Sequence, residues 1–249
     1  MTGKNKDTSP GYPETEDIET SSEGYASRFA GEVGQYFLNL QKELTLELLA
    51  PLSARTILDV GGGHAQLAVP LVKEGFAVTV TGSSDVCRAR LDTLLPPGSF
   101  TYRTCDMLHL PYPDRSFDAV LAFRLVPHVT RWPQLIGELC RVARSGVIID
   151  YPDIRSFNFL TSMLFGLKKS IEVNTRPYTL FSKKQIVSEF ARHSFGSPAF
   201  RHEFFLPMVL HRKAGSARFS RGMERVFRVC GLTRIFGSPV IIRFQRGGE

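Results

Sequence analysis

Residues 57–71, ILDVGGGHAQLAVPL, set three consecutive glycines between two apolar runs. The first run is short and flanked by β-branched residues. The second keeps apolar residues at helical spacing, so the glycines mark a strand-to-helix turn. Glycine there permits backbone conformations that side chains resist and leaves bare main chain for a ligand to approach. The following helix offers unpaired N–H groups and the positive end of its dipole, which suit a carboxylate or a phosphate. A dinucleotide site would want GxGxxG at such a turn. Gly61 and Gly63 supply the first pair, but the third position is Gln66. A tight turn with no ligand stays open on these residues alone.

The rest of the chain alternates. Strand patterns fall at 56–60, 77–81, 100–104, 117–123, 146–150, roughly 199–206 and 239–245, and helical patterns near 64–74, 84–94, 132–144, 183–193 and 219–230. Strands separated by helices of about ten residues build right-handed βαβ units and a mostly parallel seven-stranded sheet with helices on both faces. Ligands of such sheets bind beyond the carboxyl ends of the strands, where the winding reverses. At 249 residues the chain suits one such domain with elaborations.

Composition narrows the partners. Residues 1–24 carry two lysines against six acids and few bulky apolar side chains, which reads as a disordered acidic tail. The whole chain is +7, so with the tail at −4 the body of 25–249 carries +11 and favours anionic company. Cys87, Cys105, Cys140 and Cys230 form no CxxC pair, so a disulfide scaffold or a zinc site is disfavoured and no metal is expected. The polar N-terminus and the lack of a long apolar run point to the cytoplasm.

Three stretches in order resemble class I S-adenosylmethionine-dependent methyltransferases, in the small-molecule, type 11-like branch. In the first, Asp59, Gly61 and Gly63 match the acidic strand end and the glycine turn, with Ala65 in place of the last glycine. The second is CDMLHLPYPDRSFDAVLAF, residues 105–123, and the third RLVPHVTRWPQLIGELCRVARSGVIID, residues 124–150. The resemblance implies a Rossmann-like fold, S-adenosylmethionine as cofactor, and a cofactor site of Asp59, Gly61, Gly62, Gly63, Gly82, Ser83, Asp106, Met107 and Phe123. Asp106 would face the adenine amino group and the Met107 N–H would contribute beside it. The family has an acid at the end of the second strand to hold the ribose hydroxyls. Here Gly82 stands there, so Ser83, Ser84 or main chain would have to serve, while Asp85 reads more simply as a charge for the next helix. Ser145-Gly146 replaces the usual Pro-Gly-Gly before the fifth strand.

Methyl transfer from a sulfonium needs alignment and a dry cavity more than acid–base groups, so no triad is expected. His128 is the first candidate for a base, with Tyr151 second. Capping of a loop is the plainer reading of His128, and a turn that of Pro152-Asp153. His109 reads as a surface residue. Residues 25–50 form a helical cap, to which Tyr25, Arg28 and Phe29 belong. Residues 151–182 read as a substrate lid, apolar from Phe157 to Leu167 with Lys168 and Lys169 at its end, or as a helix packed on the core. Arg176, farther along the same stretch, could meet an anionic part of the acceptor. Residues 211–237 read as a basic amphipathic insertion, with Phe219, Met223, Val226, Phe227 and Cys230 at helical spacing among arginines. It can lie on an anionic membrane surface or pack its stripe on the sheet. The acceptor expected is a small, partly hydrophobic or anionic molecule, methylated on oxygen in preference to carbon or nitrogen. A non-catalytic cofactor-binding scaffold is the alternative, and a nucleic acid methyltransferase the third choice.

Overall fold

The computed structural model describes residues 11–157 and 178–247. Seven strands form one sheet in the order β3-β2-β1-β4-β5-β7-β6. They are β1 (Thr56–Val60), β2 (Ala77–Gly82), β3 (Thr101–Thr104), β4 (Phe117–Ala122), β5 (Ala143–Tyr151), β6 (Phe195–His202) and β7 (Val240–Arg246). The first five pair in parallel, and β7 runs antiparallel between β5 and β6. The chain winds outward from β1 through β2 to β3, then crosses back to β4 on the other side of β1. The crevice beyond the carboxyl ends of β1 and β4 is therefore the switch point.

The helices in chain order are α1 (Asp17–Thr20), α2 (Glu23–Ala26), α3 (Gly31–Leu49), α4 (Ala68–Lys73), α5 (Ala89–Leu94), α6 (Trp132–Val142), α7 (Lys183–Arg192), α8 (Met208–Ala214), α9 (Ala217–Val229) and α10 (Leu232–Phe236). Two apolar layers flank the sheet. On one face Leu139 and Ile136 of α6 and Ile186 and Phe190 of α7 pack on Val120, Val147, Ile242 and Phe244. On the other, Leu44, Leu48 and Leu49 of α3 join Leu71 and Leu91 on Ile57, Val80, Ile148 and Ile241. The first half of α3 leaves the sheet and packs Val33 and Phe37 against Phe29 and Phe204 in a smaller cluster.

Three expectations change. Residues 11–24 are not a loose tail: they hold α1 and the first half of α2, with Glu14, Asp17, Thr20 and Ser21 buried. Composition misleads here because these acids find specific partners on the basic body. Glu14 accepts from the main-chain N–H groups of Thr130 and Arg131 at 3.3 and 3.0 Å, and Glu23 pairs with Arg90 at 2.5 Å. The remaining tail residues, 1–10, lie outside the described residues. The sixth strand begins four residues earlier than its apolar pattern suggests, because Ser194 takes a left-handed turn (φ 62°) directly after α7.

The third change concerns α9. Its buried residues are Ala217, Ser220 and Glu224, not the apolar stripe. Glu224 accepts from the N–H groups of Phe205 and Leu206, each at 2.9 Å, and lies 3.0 Å from His211 Nε2. That polar anchor turns Phe219, Val226 and Val229 outward, the last 81 % exposed. Most of the expected lid, including Lys168, Lys169 and Arg176, lies outside the described residues. No helix among the described residues is long and apolar enough to cross a membrane.

Candidate active site

The glycine turn is built by sterics as much as by backbone freedom. Gly61 is left-handed at φ 71°. A methyl group on Gly62 would lie 2.2 Å from Asp59 Oδ2, and one on Gly63 would lie 2.5 Å from the Cys87 carbonyl oxygen. Beneath the turn, the Asp59 carboxylate is fully buried and neither oxygen has a hydrogen-bond partner. Burial pushes its pKa up to about 7. A buried carboxylate in that state is completed by a cationic or hydrogen-bond-donating ligand. His64 in the same turn accepts the Gln66 N–H at 3.1 Å through Nδ1, and burial lowers its pKa to about 3.

On the β3 side, Asp106 Oδ1 accepts the Leu108 N–H at 2.9 Å, and His109 Nδ1 lies 3.0 Å from Oδ2. His109 is a surface residue, as its sequence suggests, and Met107 is buried beside Asp106. The loop that carries Asp106 is clamped from α6. Glu138 accepts the Leu110 N–H at 2.7 Å, while Arg141 donates to the carbonyls of Leu110 and Tyr112, each at 2.8 Å. Asp118 likewise ties β4 to β1 by accepting from the Thr56 N–H and hydroxyl, each at 2.9 Å. Residues 138–142 (ELCRV) and Phe117-Asp118, which belong to the second and third resembling stretches, thus position the crevice instead of lining it.

At the end of β2, Gly82 and Ser83 meet the N-terminal segment. Asp17 lies fully buried, its Oδ2 accepting the Ser83 N–H at 2.7 Å and its Oδ1 the Ser83 hydroxyl at 2.5 Å. Ser84 caps the next turn, and Asp85 accepts from the Thr104 hydroxyl at the end of β3.

Beyond β4, the structure reveals a polar cluster that sequence reading missed. Arg124 sits in a left-handed conformation (φ 55°), an uncommon one for a residue with a side chain. Its N–H donates to Asp150 Oδ1 at 2.6 Å. Its guanidinium donates to Gln66 Oε1 at 2.8 Å and Gln41 Oε1 at 2.9 Å, and lies 4.6 Å over the Phe29 ring. Burial would lower its pKa, but Tyr25, Asp150 and Glu203 outweigh that and raise it. Glu203, just past β6, is buried with both carboxylate oxygens unpartnered. Burial pushes its pKa up to about 8, with Asp150 adding to the rise and Arg124 opposing it. A positive φ is not legible in a sequence, and nothing marks Glu203 in the RHEFF stretch.

The two expected bases fall differently. His128 ends the turn Val126–His128 after β4, with its ring 5.4 Å from that of Tyr178. Tyr151 is only 1 % exposed within the core cluster, and burial raises its phenol pKa further, which does not suit a base near neutral pH. The Phe123 side chain belongs to the core on the α3 side, leaving only its main chain to the crevice. Farther out, a cleft of about 620 Å³ opens between Tyr151, Lys183, His202 and Arg234. Arg155, Lys183, Arg201, Arg228 and Arg234 line it against one acid, Asp153. Among the described residues no group of His, Cys, Asp and Glu could hold a metal ion.

The decisive comparison concerns the crevice itself: residues 58–149, from β1 to the end of β5, match a family model described as methyltransferase domain. This segment is a methyltransferase domain. The chain is 34% identical over 105 residues to the ubiquinone biosynthesis O-methyltransferase of Paramagnetospirillum magneticum, covering 41% of this chain and 42% of that protein. It is 30% identical over 111 residues to a ubiquinone/menaquinone biosynthesis C-methyltransferase of Dinoroseobacter shibae, covering 42% and 44%. The chain thus spans less than half the length of these curated relatives. Over nearly the whole fold it is similar to magnesium protoporphyrin IX methyltransferase from Synechocystis, solved with bound SAH. That likeness has a TM-score of 0.62 at 16% identity and covers 91% of this chain and 96% of that one. The Rossmann-like methyltransferase fold is therefore shared well beyond the matched domain.

Proposed function

We propose that the chain binds S-adenosylmethionine at the β1–β4 crevice and transfers its methyl group to a small, partly hydrophobic acceptor, on oxygen in preference to carbon. The observation that carries this is Asp59, a buried carboxylate without partners beneath a glycine turn, inside a methyltransferase domain. It suits a cationic ligand, and Gly62 and Gly63 leave no room there for anything but bare main chain. The cofactor supplies a methyl group already activated on a sulfonium, so the protein's task is alignment and exclusion of water. In this reading Asp106 accepts from the adenine amino group, with the Met107 N–H beside it, and Gly61, Ser83 and the main chain at Phe123 border the nucleoside.

On the acceptor side, Arg124 steadies a developing oxyanion and Glu203 receives the hydroxyl proton. His128 is the second candidate for that proton, in a loop also fixed by its own N–H to Leu125. The quinone-biosynthesis relatives point to a phenolic or quinol acceptor, and the cationic cleft to one that also bears a negative charge. Incubation of the full chain with methyl-labelled cofactor and short-chain quinols is expected to label the quinol. Failure to bind S-adenosylmethionine or SAH in calorimetry would overturn the reading, whereas binding without transfer to any acceptor would favour a scaffold. Asp106→Ala is expected to weaken SAH by roughly tenfold, the worth of one hydrogen bond to a charged group. Unchanged affinity would move the adenine elsewhere.

We also propose peripheral contact between 211–237 and anionic lipid. Phe219, Val226 and Val229 face outward on α9 beside Arg218 and Arg225, the combination that seats a helix on an acidic bilayer surface. Sedimentation with vesicles containing phosphatidylglycerol is expected to retain the protein at low salt. Arg218→Glu with Arg225→Glu should release it, and equal binding to purely zwitterionic vesicles would argue against the contact.

A further inference from the structure

The end of β2 has no room for an acid of its own. A methyl group on Gly82 would stand 2.3 Å from the Tyr102 hydroxyl, which is itself held by a 2.6 Å hydrogen bond to the Ser84 carbonyl. A carboxylate is there nonetheless. The same methyl position lies 3.1 Å from Asp17 Oδ2, so a side chain from the N-terminal segment occupies the space that an acid grown from Gly82 would reach. Asp17 also comes within 3.5 Å of the methyl position of Gly61, which sets it between the glycine turn and the end of β2. Doubly wound sheets that bind nucleosides place an acid about twenty residues beyond the glycine turn, where it accepts from the ribose hydroxyls.

We propose that Asp17, delivered by the N-terminal segment, is the ribose-holding acid of this chain. A carboxylate offers about four acceptor directions. Ser83 takes one on each oxygen, through its N–H and its hydroxyl, and the Cys87 thiol lies 3.5 Å from Oδ2. The second direction on Oδ1 is open to one ribose hydroxyl, and the other hydroxyl would displace the weak thiol donor from Oδ2. Ser83 therefore orients Asp17 much as a strand backbone would. The arrangement also couples two events. Ser21 stands against Gly63, where a methyl group would meet its Oγ at 2.3 Å, so the segment closes over the glycine turn and must lift to admit a nucleoside. Glu14 holds the other end of the segment at Thr130 and Arg131, next to the His128 turn. Seating the ribose on Asp17 re-closes the segment over both halves of the crevice.

This proposal rests on the cofactor reading above, and the test separates the two. Calorimetry on the full chain would compare SAH with its analogue lacking both ribose hydroxyls. The native protein is expected to prefer SAH by on the order of tenfold to a hundredfold, the worth of hydrogen bonds to a charged acceptor. Asp17→Asn and Asp17→Ala, with folding checked by circular dichroism, are expected to lose that preference and to bind SAH at least about tenfold more weakly. A preference that survives in both variants would overturn the proposal. So would SAH binding that is unchanged, or tighter, as for a segment that merely plugs the site. Native protein that binds SAH without any preference would sink Asp17's role alone. Native protein that binds neither ligand would sink the cofactor reading with it.

Discussion

Gly63→Ala is expected to abolish measurable cofactor binding while leaving a folded but weakened protein. The added methyl would stand 2.5 Å from the Cys87 carbonyl and 2.9 Å from Cys87 Cβ. Neither is the far end of a flexible side chain: the carbonyl belongs to the turn after β2, so the two turns that form the crevice must separate. Overpacking of this kind costs about 1–3 kcal/mol of stability. The same methyl would meet Ser21 Oγ at 2.3 Å and displace the N-terminal segment from the glycine turn. Gly222→Ala provides the contrast. Gly222 lies inside α9 with nothing within 4 Å of a new methyl group, so helix propensity alone should stabilise that variant by about 0.5–1 kcal/mol. Thermal melts and SAH calorimetry on the two variants check both signs. Native-like binding by Gly63→Ala would mean that the nucleoside does not use this turn.

The legible parts of the chain are those whose signal is local. Alternation of apolar residues, the glycines after Val60 and the Pro, Gly and Ser turns sufficed for seven strands in nearly correct places. They also located the switch point beyond β1 and β4. The Glu138–Arg141 and Asp118 contacts explain why short motifs recur around such a site: each pins one loop of the crevice to a neighbouring element. What stayed hidden depends on contacts between distant residues. Asp17 reaches Ser83 across 66 positions, and its own surroundings read only as an acidic, polar stretch. On α9 the periodicity correctly marks a helix, but Glu224 and its partners at Phe205 and Leu206 decide which face is buried. No hydrophobic pattern carries that choice. Arg124 is legible in the sequence only as a charge within the apolar run VLAFRLVPHV, and its left-handed backbone emerges only when β4 and β5 are placed side by side.

Glu203 is expected to make the protein less stable as pH rises through the neutral range. Its ordinary pKa of 4.5 describes the unfolded chain, whereas in the fold it is pushed up to about 8. Below the first value both states hold the proton, and the folded form has its full stability. Between the two values the folded chain keeps a proton that the unfolded chain has lost, so stability falls with rising pH at about 1.4 kcal/mol per pH unit. The decline levels off above about 8. Asp59, raised to about 7, adds a loss of the same sign over a lower window. Glu203→Gln removes the ionisation and keeps the shape. Its unfolding free energy, measured by denaturant titration, should therefore gain on that of the native protein from pH 5 to pH 8 by an amount on the order of a few kcal/mol. The ionised form that destabilises the fold is also the one that can accept a proton. Methyl transfer to a hydroxyl should consequently rise with pH through about 8 in the native protein and lose that rise in Glu203→Gln. Arg124 gives the physical reason the two trends oppose each other. One guanidinium beside Asp150 and Glu203 can balance one carboxylate in the interior but not both, and burial raises the pKa of both acids, so the pair retains a proton until the pH, or a bound acceptor, draws it away. Parallel stability curves for the two proteins between pH 5 and 8 would show that Glu203 is already ionised in the fold, and would remove it as the base.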